Sequence, residues 1–84
     1  MLHYTIKLST VSDFRNYANM LSRFHIGGYV LLEDKKIYIG SYLEILCHCP
    51  LYQVLMVLEK YREEEVPELE EYMRKTGLTG RAAA

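Results

Sequence analysis

The residues of this chain whose types and spacing can do chemistry are few. Cys47, His48 and Cys49 are consecutive, and sulfur and imidazole donors this close raise the possibility of a metal tetrahedron completed by His3 or His25. Their spacing argues otherwise, because zinc sites use intervals such as Cys-x2-Cys with a second ligand pair, and these are the chain's only two cysteines. A disulfide between residues one apart would be strained and close almost no loop. Both are expected as reduced thiols, and no metal or other cofactor is assigned. His25 and His48 are the histidines outside the first strand, and each is a candidate nucleophile. The carboxylates gather between Glu63 and Glu71, where a solvated face complementing a helix dipole accounts for them without any Ser/His/Asp arrangement. Gly27-Gly28 reads as a helix stop and not as a phosphate loop. Ser41 and Glu44 have the spacing of a capping box that opens a short helix ending before Pro50.

Composition narrows the partners. With 84 residues the chain makes one domain, and half of it is hydrophobic against a quarter charged, a globular balance. Ten basic and eleven acidic residues leave a formal net charge of -1, so no global positive field gathers nucleic acid. No apolar run approaches the roughly 20 residues of a membrane span, and the N-terminus lacks a signal-peptide pattern. Neither nucleic acid nor membrane is an expected partner, and the expected location is cytoplasmic.

The elements that must position these residues follow from periodicity. Leu2 to Leu8 alternates as a half-buried strand, with Tyr4, Ile6 and Leu8 on one side. Phe14, Tyr17, Ala18, Leu21 and Phe24 form one stripe of a helix that Ser12 or Asp13 would cap. Tyr29 to Glu33 and Lys36 to Ile39 form a hairpin with a turn centred on Glu33-Asp34 or Asp34-Lys35; either register places Val30, Leu32, Ile37 and Ile39 on one face. Gln53 to Glu59 is a strand with apolar residues on both faces. Pro67 opens a last helix with Leu69, Tyr72 and Met73 as its stripe, and Gly77 closes it. The organisation is a domain over residues 1–78 and a frayed tail over 79–84. The order β-α-β-β-α-β-α predicts an α+β open-faced β-sandwich, a four-stranded antiparallel sheet with three helices on one face. Pattern alone does not choose between the strand order of the ferredoxin-like fold and that of related split βαβ folds.

Three segments carry a resemblance. Ser22-Arg23-Phe24 at the end of the first helix, the hairpin and short helix from Tyr29 to Leu46 with Ser41 between them, and the closing helix from Pro67 to Gly77-Leu78 resemble HPr, the histidine-containing phosphocarrier family of the bacterial sugar phosphotransferase system. The likeness runs over nearly the whole chain. The family signature Gly-Leu/Ile-His-Ala-Arg-Pro is missing: its His position is Thr10, its Arg position Ser12 and its Pro position Asp13. An imidazole carries phosphate reversibly because the N–P bond is labile, whereas threonine would form a stable ester and Asp13 would repel the group. The resemblance implies the HPr-like fold; the residues argue against phosphocarrier activity and against any enzyme. It also implies that Ser41, at a position phosphorylated by a dedicated kinase in the Gram-positive branch, is a candidate for regulatory phosphorylation, and that Tyr42, Leu43 and Leu46 form an apolar surface for partner proteins.

The sheet face without helices would expose Tyr29, Leu31, Tyr38, Leu55 and Val57, an apolar set where a solvated face should turn polar. The functional expectation is a catalytically silent HPr-like module that binds a protein, a phosphotransferase-system component or regulator, through these surfaces. The alternatives are a phosphocarrier using His25 or His48, and a structural homodimer unrelated to sugar transport.

Overall fold

The computed structural model describes residues 1–79 and the backbone of residues 82–83. Four strands, β1 (Leu2–Leu8), β2 (Gly27–Leu32), β3 (Lys35–Tyr38) and β4 (Leu51–Lys60), alternate with helices α1 (Val11–Arg23), α2 (Tyr42–Leu46) and α3 (Val66–Thr76), the last entered through a 3-10 turn over Glu63–Glu65. The architecture is the expected open-faced sandwich, an antiparallel sheet with three helices on one face. The strand order is β3-β2-β4-β1, consistent with an HPr-like topology. β4 pairs antiparallel with both β1 and β2, so β1 and β2 run parallel without touching, and α1 crosses over the strand between them.

Period-two alternation decides which side chains meet the helices. Tyr4, Ile6, Leu8, Val30, Leu32, Ile37, Ile39, Val54, Met56 and Leu58 are all buried, and with Tyr17, Met20, Phe24, Ile45, Leu69, Met73 and Leu78 they form one core. Tyrosines tie the helices down by their hydroxyls as well as by area. Tyr17 donates to the Ile39 carbonyl oxygen at 2.6 Å, Tyr72 of α3 to the Asn16 carbonyl of α1 at 2.9 Å, and Tyr4 of β1 to Glu70 Oε2 of α3 at 2.8 Å. Burial, helped by the Glu70 charge, pushes the Tyr4 phenol well above its ordinary range, so it stays a donor at any physiological pH.

The hairpin resolves to a two-residue turn. Leu32 pairs with Lys35 and Val30 with Ile37, while Glu33 and Asp34 both take positive φ, 49° and 68°, the geometry whose twist matches the flanking strands. Gly77 ends α3 at φ 78°, in the left-handed cap position.

Two expectations are corrected. The cap of α1 is Thr10, two or three residues earlier than Ser12 or Asp13 would give, and Asp13 serves as its partner. The frayed tail is corrected at Thr79, which is buried, and at β5 (Ala82–Ala83), which pairs with His3 and Tyr4 of β1 as a short fifth strand; Gly80, Arg81 and Ala84 lie outside the described residues.

A bulge interrupts the β2–β4 ladder. Gly27 pairs with Lys60 but Gly28 with Leu58, leaving Glu59 as the extra residue. Gly28 has φ +157°, and a Cβ there would lie 1.9 Å from the Val57 carbonyl oxygen. Gly28→Ala is therefore expected to cost on the order of 3 kcal/mol or more in urea unfolding, since backbone on both sides must shift. Gly77→Ala, where a Cβ meets nothing within 4 Å, should lose only about 1 kcal/mol through its backbone conformation; equal losses would refute this account of the bulge.

Candidate functional site

The start of α1 is organised by one carboxylate. Thr10 is extended, with φ -129° and ψ 165°, so its Oγ1 can accept from the Asp13 N–H, at 3.0 Å. Asp13 Oδ2 accepts in return from the Ser9 N–H and the Ser9 hydroxyl, both at 3.1 Å, and from the Thr10 N–H at 3.3 Å. Lys7 Nζ adds a positive charge at 3.4 Å. Burial pushes the Asp13 carboxyl up, but the Ser9 bonds and Lys7 outweigh it and hold the group below its usual range. A helix N-terminus prefers an anion, and here the chain supplies its own. Thr10 and Asp13, which the resemblance to HPr aligns with that family's His and Pro, are thus bonded to each other, with Thr10 Oγ1 serving as a cap.

Beside this cap lies an apolar groove of about 550 Å3, lined by Leu8, Ser9, Thr10, Val11, Phe14, Arg15, Leu46, Cys49 and Pro50. Its walls are set by aromatic packing between α1 and α2: the rings of Phe14, Tyr17 and Tyr42 are 6.1 to 6.4 Å apart in pairs. Ile45 is fully buried, which turns the rest of α2 outward. Leu43 is 79% exposed, and Tyr42 and Leu46 are also exposed. Sequence reasoning missed Val11, 78% exposed, Phe14 as a groove residue, and Arg15, which has no ion pair or hydrogen-bond partner among the described residues. An isolated valine at the first helical position was the available signal. Cys49 Sγ donates to the Ile45 carbonyl at 3.5 Å, and burial raises its thiol pKa, the setting of an unreactive cysteine.

The capping box at Ser41 is corrected. Ser41 has φ -83° and ψ 70° and its side chain makes no cap bond; its N–H donates to the Tyr38 carbonyl at 2.9 Å, and Glu44 reaches Lys35 Nζ at 3.2 Å. With its N–H and Glu44 both engaged elsewhere, the box has no partners left. Of the two histidine candidates, His25 is anchored at two points by Glu65, its N–H donating to Oε1 at 3.0 Å and its Nδ1 lying 3.2 Å from Oε2. The backbone N–H first and then the ring hold the Glu65 carboxyl below its ordinary range. His48 is exposed and has no side-chain partner among the described residues. Among those residues no group of three potential ligands can hold a metal ion, and no helix is long and apolar enough to cross a membrane.

On the helix-free face Tyr38 and Leu31 are exposed and Tyr29 and Leu55 half-buried. Val57 is the exception, at 2% exposure; it cannot belong to an exposed patch, because it sits mid-sheet with Tyr29 and His3 as cross-strand neighbours. Comparison with family models, with curated proteins and with solved structures finds no match.

The two cap sites lead to opposite outcomes. Thr10→Ala should lose about 1 kcal/mol in thermal or urea unfolding, while Ser41→Ala should stay within about 0.5 kcal/mol of the parent. Acid supplies a second check. The folded-state pKa of Asp13 lies below its unfolded value, so its contribution is complete above the ordinary carboxylate range and is lost as pH falls through the lowered folded value. The stability gap between the parent and Asp13→Asn should therefore shrink as pH falls through and below the ordinary carboxylate range; a constant gap would mean that the charge of Asp13 is not what the shell of donors holds.

Proposed function

We propose that this chain is a catalytically silent HPr-like protein that acts as a protein-binding or regulatory module related to the phosphotransferase system, and that its partner docks on the groove between the start of α1 and α2. One observation carries the reading: at the helix N-terminus where the related phosphocarriers hold phosphate, the Asp13 carboxylate already occupies the Ser9 and Thr10 donors, and its charge opposes a second anion. The strand order and the one-sided helix layer support the family assignment. The groove supports the docking mode, because Val11, Leu43 and Leu46 present apolar surface around it while Arg15 stands at its rim with an uncompensated charge. A partner segment with an apolar side chain beside a carboxylate suits both features.

A second reading rests on His25. Glu65 bound at Nδ1 fixes the ring and leaves Nε2 as the free lone pair, the arrangement a nucleophilic imidazole uses; His48 has no such support. Incubation of the protein with the upstream phosphotransferase and phosphoenolpyruvate, followed by native mass spectrometry, separates the readings. The expected result is no added mass. An acid-labile phosphate that disappears in His25→Ala would overturn the silent reading and establish the second.

A further inference from the structure

At the end of the sheet where β2 begins, the bulge opens a cleft of about 570 Å3, lined by His25, Ile26, Gly27, Gly28, Tyr38, Glu59 and Lys60. Its volume falls in the range of small-molecule sites. Consecutive residues of a regular strand point to opposite faces, yet Glu59 and Lys60 both line this cleft. The extra residue at the bulge makes that possible. Gly28 is required by the bulge itself, as its clash with the Val57 carbonyl shows. Gly27 serves a different end: the Lys60 stem lies over its bare Cα, with Cβ, Cδ and Cγ 3.5 to 3.9 Å from where a side chain would begin.

The polar groups of the cleft are of two kinds. Lys60 offers an ammonium and Tyr38 a phenol, both donors; neither side chain has a hydrogen-bond or ion-pair partner among the described residues. Glu59 offers a carboxylate, also unpartnered among the described residues. His25 adds a second acceptor, because the carboxylate at its Nδ1 requires the ring proton there and leaves the Nε2 lone pair for a ligand. An acid and an amine side by side, without an ion pair between them, fit a ligand that carries both charges.

We infer that this cleft binds a small zwitterion of the α-amino acid class, its carboxylate held by Lys60 and Tyr38 and its ammonium by Glu59 and the Nε2 of His25. The site lies on β2, β3 and β4, away from the α1–α2 groove, and stands or falls independently of the docking reading. Amide NMR of the labelled protein, titrated with each common α-amino acid in turn and with acetate and methylammonium as half-ligands, tests it. At least one amino acid should move the Gly27, Gly28 and Lys60 signals saturably, with acetate and methylammonium each weaker by about tenfold or more. Glu59→Gln and Lys60→Met, both at exposed positions, should each weaken that response by about tenfold while the signals of the buried core keep their positions. The inference is overturned if no amino acid gives a saturable shift, if the half-ligands saturate at the same concentrations, or if both folded variants titrate like the parent.

Discussion

The whole sheet depends on the pairing of β4 with two strands that never meet each other. β1 and the β2–β3 hairpin are joined only across Leu51–Lys60, so no continuous sheet exists until the fourth strand is in place. A parallel pair with a strand between them needs a crossover that runs the length of the sheet. The 13 residues of α1 span about 20 Å, the length of a strand of about six residues, and return the chain to where β2 begins. Because β4 is central, it is apolar on both faces, and its side chains decide how thick the core is under the helices. The bulge at its far end interrupts its pairing with β2, and the cleft forms there.

Asp13 supplies the start of α1 with a carboxylate from the chain itself. A helix start with free N–H groups, a nearby lysine and a serine hydroxyl is an anion-binding arrangement, and in this chain the anion is covalently attached. The carboxylate accepts from the Ser9 and Thr10 donors and pairs with Lys7, groups that would otherwise face solvent or a ligand. Exposed beside it are Val11 on the first turn and Leu46 across the groove, with Arg15 at the rim.

The fold was legible because periodicity carries it. The inward positions of the four strands, with Ile39 just past β3, Tyr17 and Phe24 of the first helix and the Pro67 and Gly77 boundaries of α3 follow from spacing and end signals, which are local; Met20, fully buried on α1, lies outside the expected stripe. The site was less legible because it depends on angles that spacing does not contain. Thr10-x-x-Asp13 and Ser41-x-x-Glu44 are the same pattern, and only the first becomes a box. Thr10 is extended, and Asp13 meets Lys7 Nζ at 3.4 Å without leaving the cap; Ser41 leaves a tight connection with ψ near 70°, and Glu44 is drawn to Lys35 instead. The bulge was hidden for a related reason, since the pair Gly27-Gly28 signals a break without saying that one glycine must pass within contact of a strand that arrives thirty residues later in sequence.

The helix-free face shows why an apolar sequence there does not by itself make a sticky surface. Two rows cross the sheet on that side, Tyr38–Tyr29–Val57–His3 and Lys36–Leu31–Leu55–Thr5. Their centre is aliphatic and their margins carry tyrosine, lysine and histidine. Lys36 Nζ lies 4.8 Å from the Tyr29 ring centroid, so a charged side chain covers apolar area with its stem and holds its head over an aromatic face. Val57 ends with 2% exposure without any helix above it. Long side chains laid across a twisted four-stranded sheet thus supply part of the second layer that the fold lacks, and the apolar area left to a partner is set by Leu31, Leu55 and the rings at the edge.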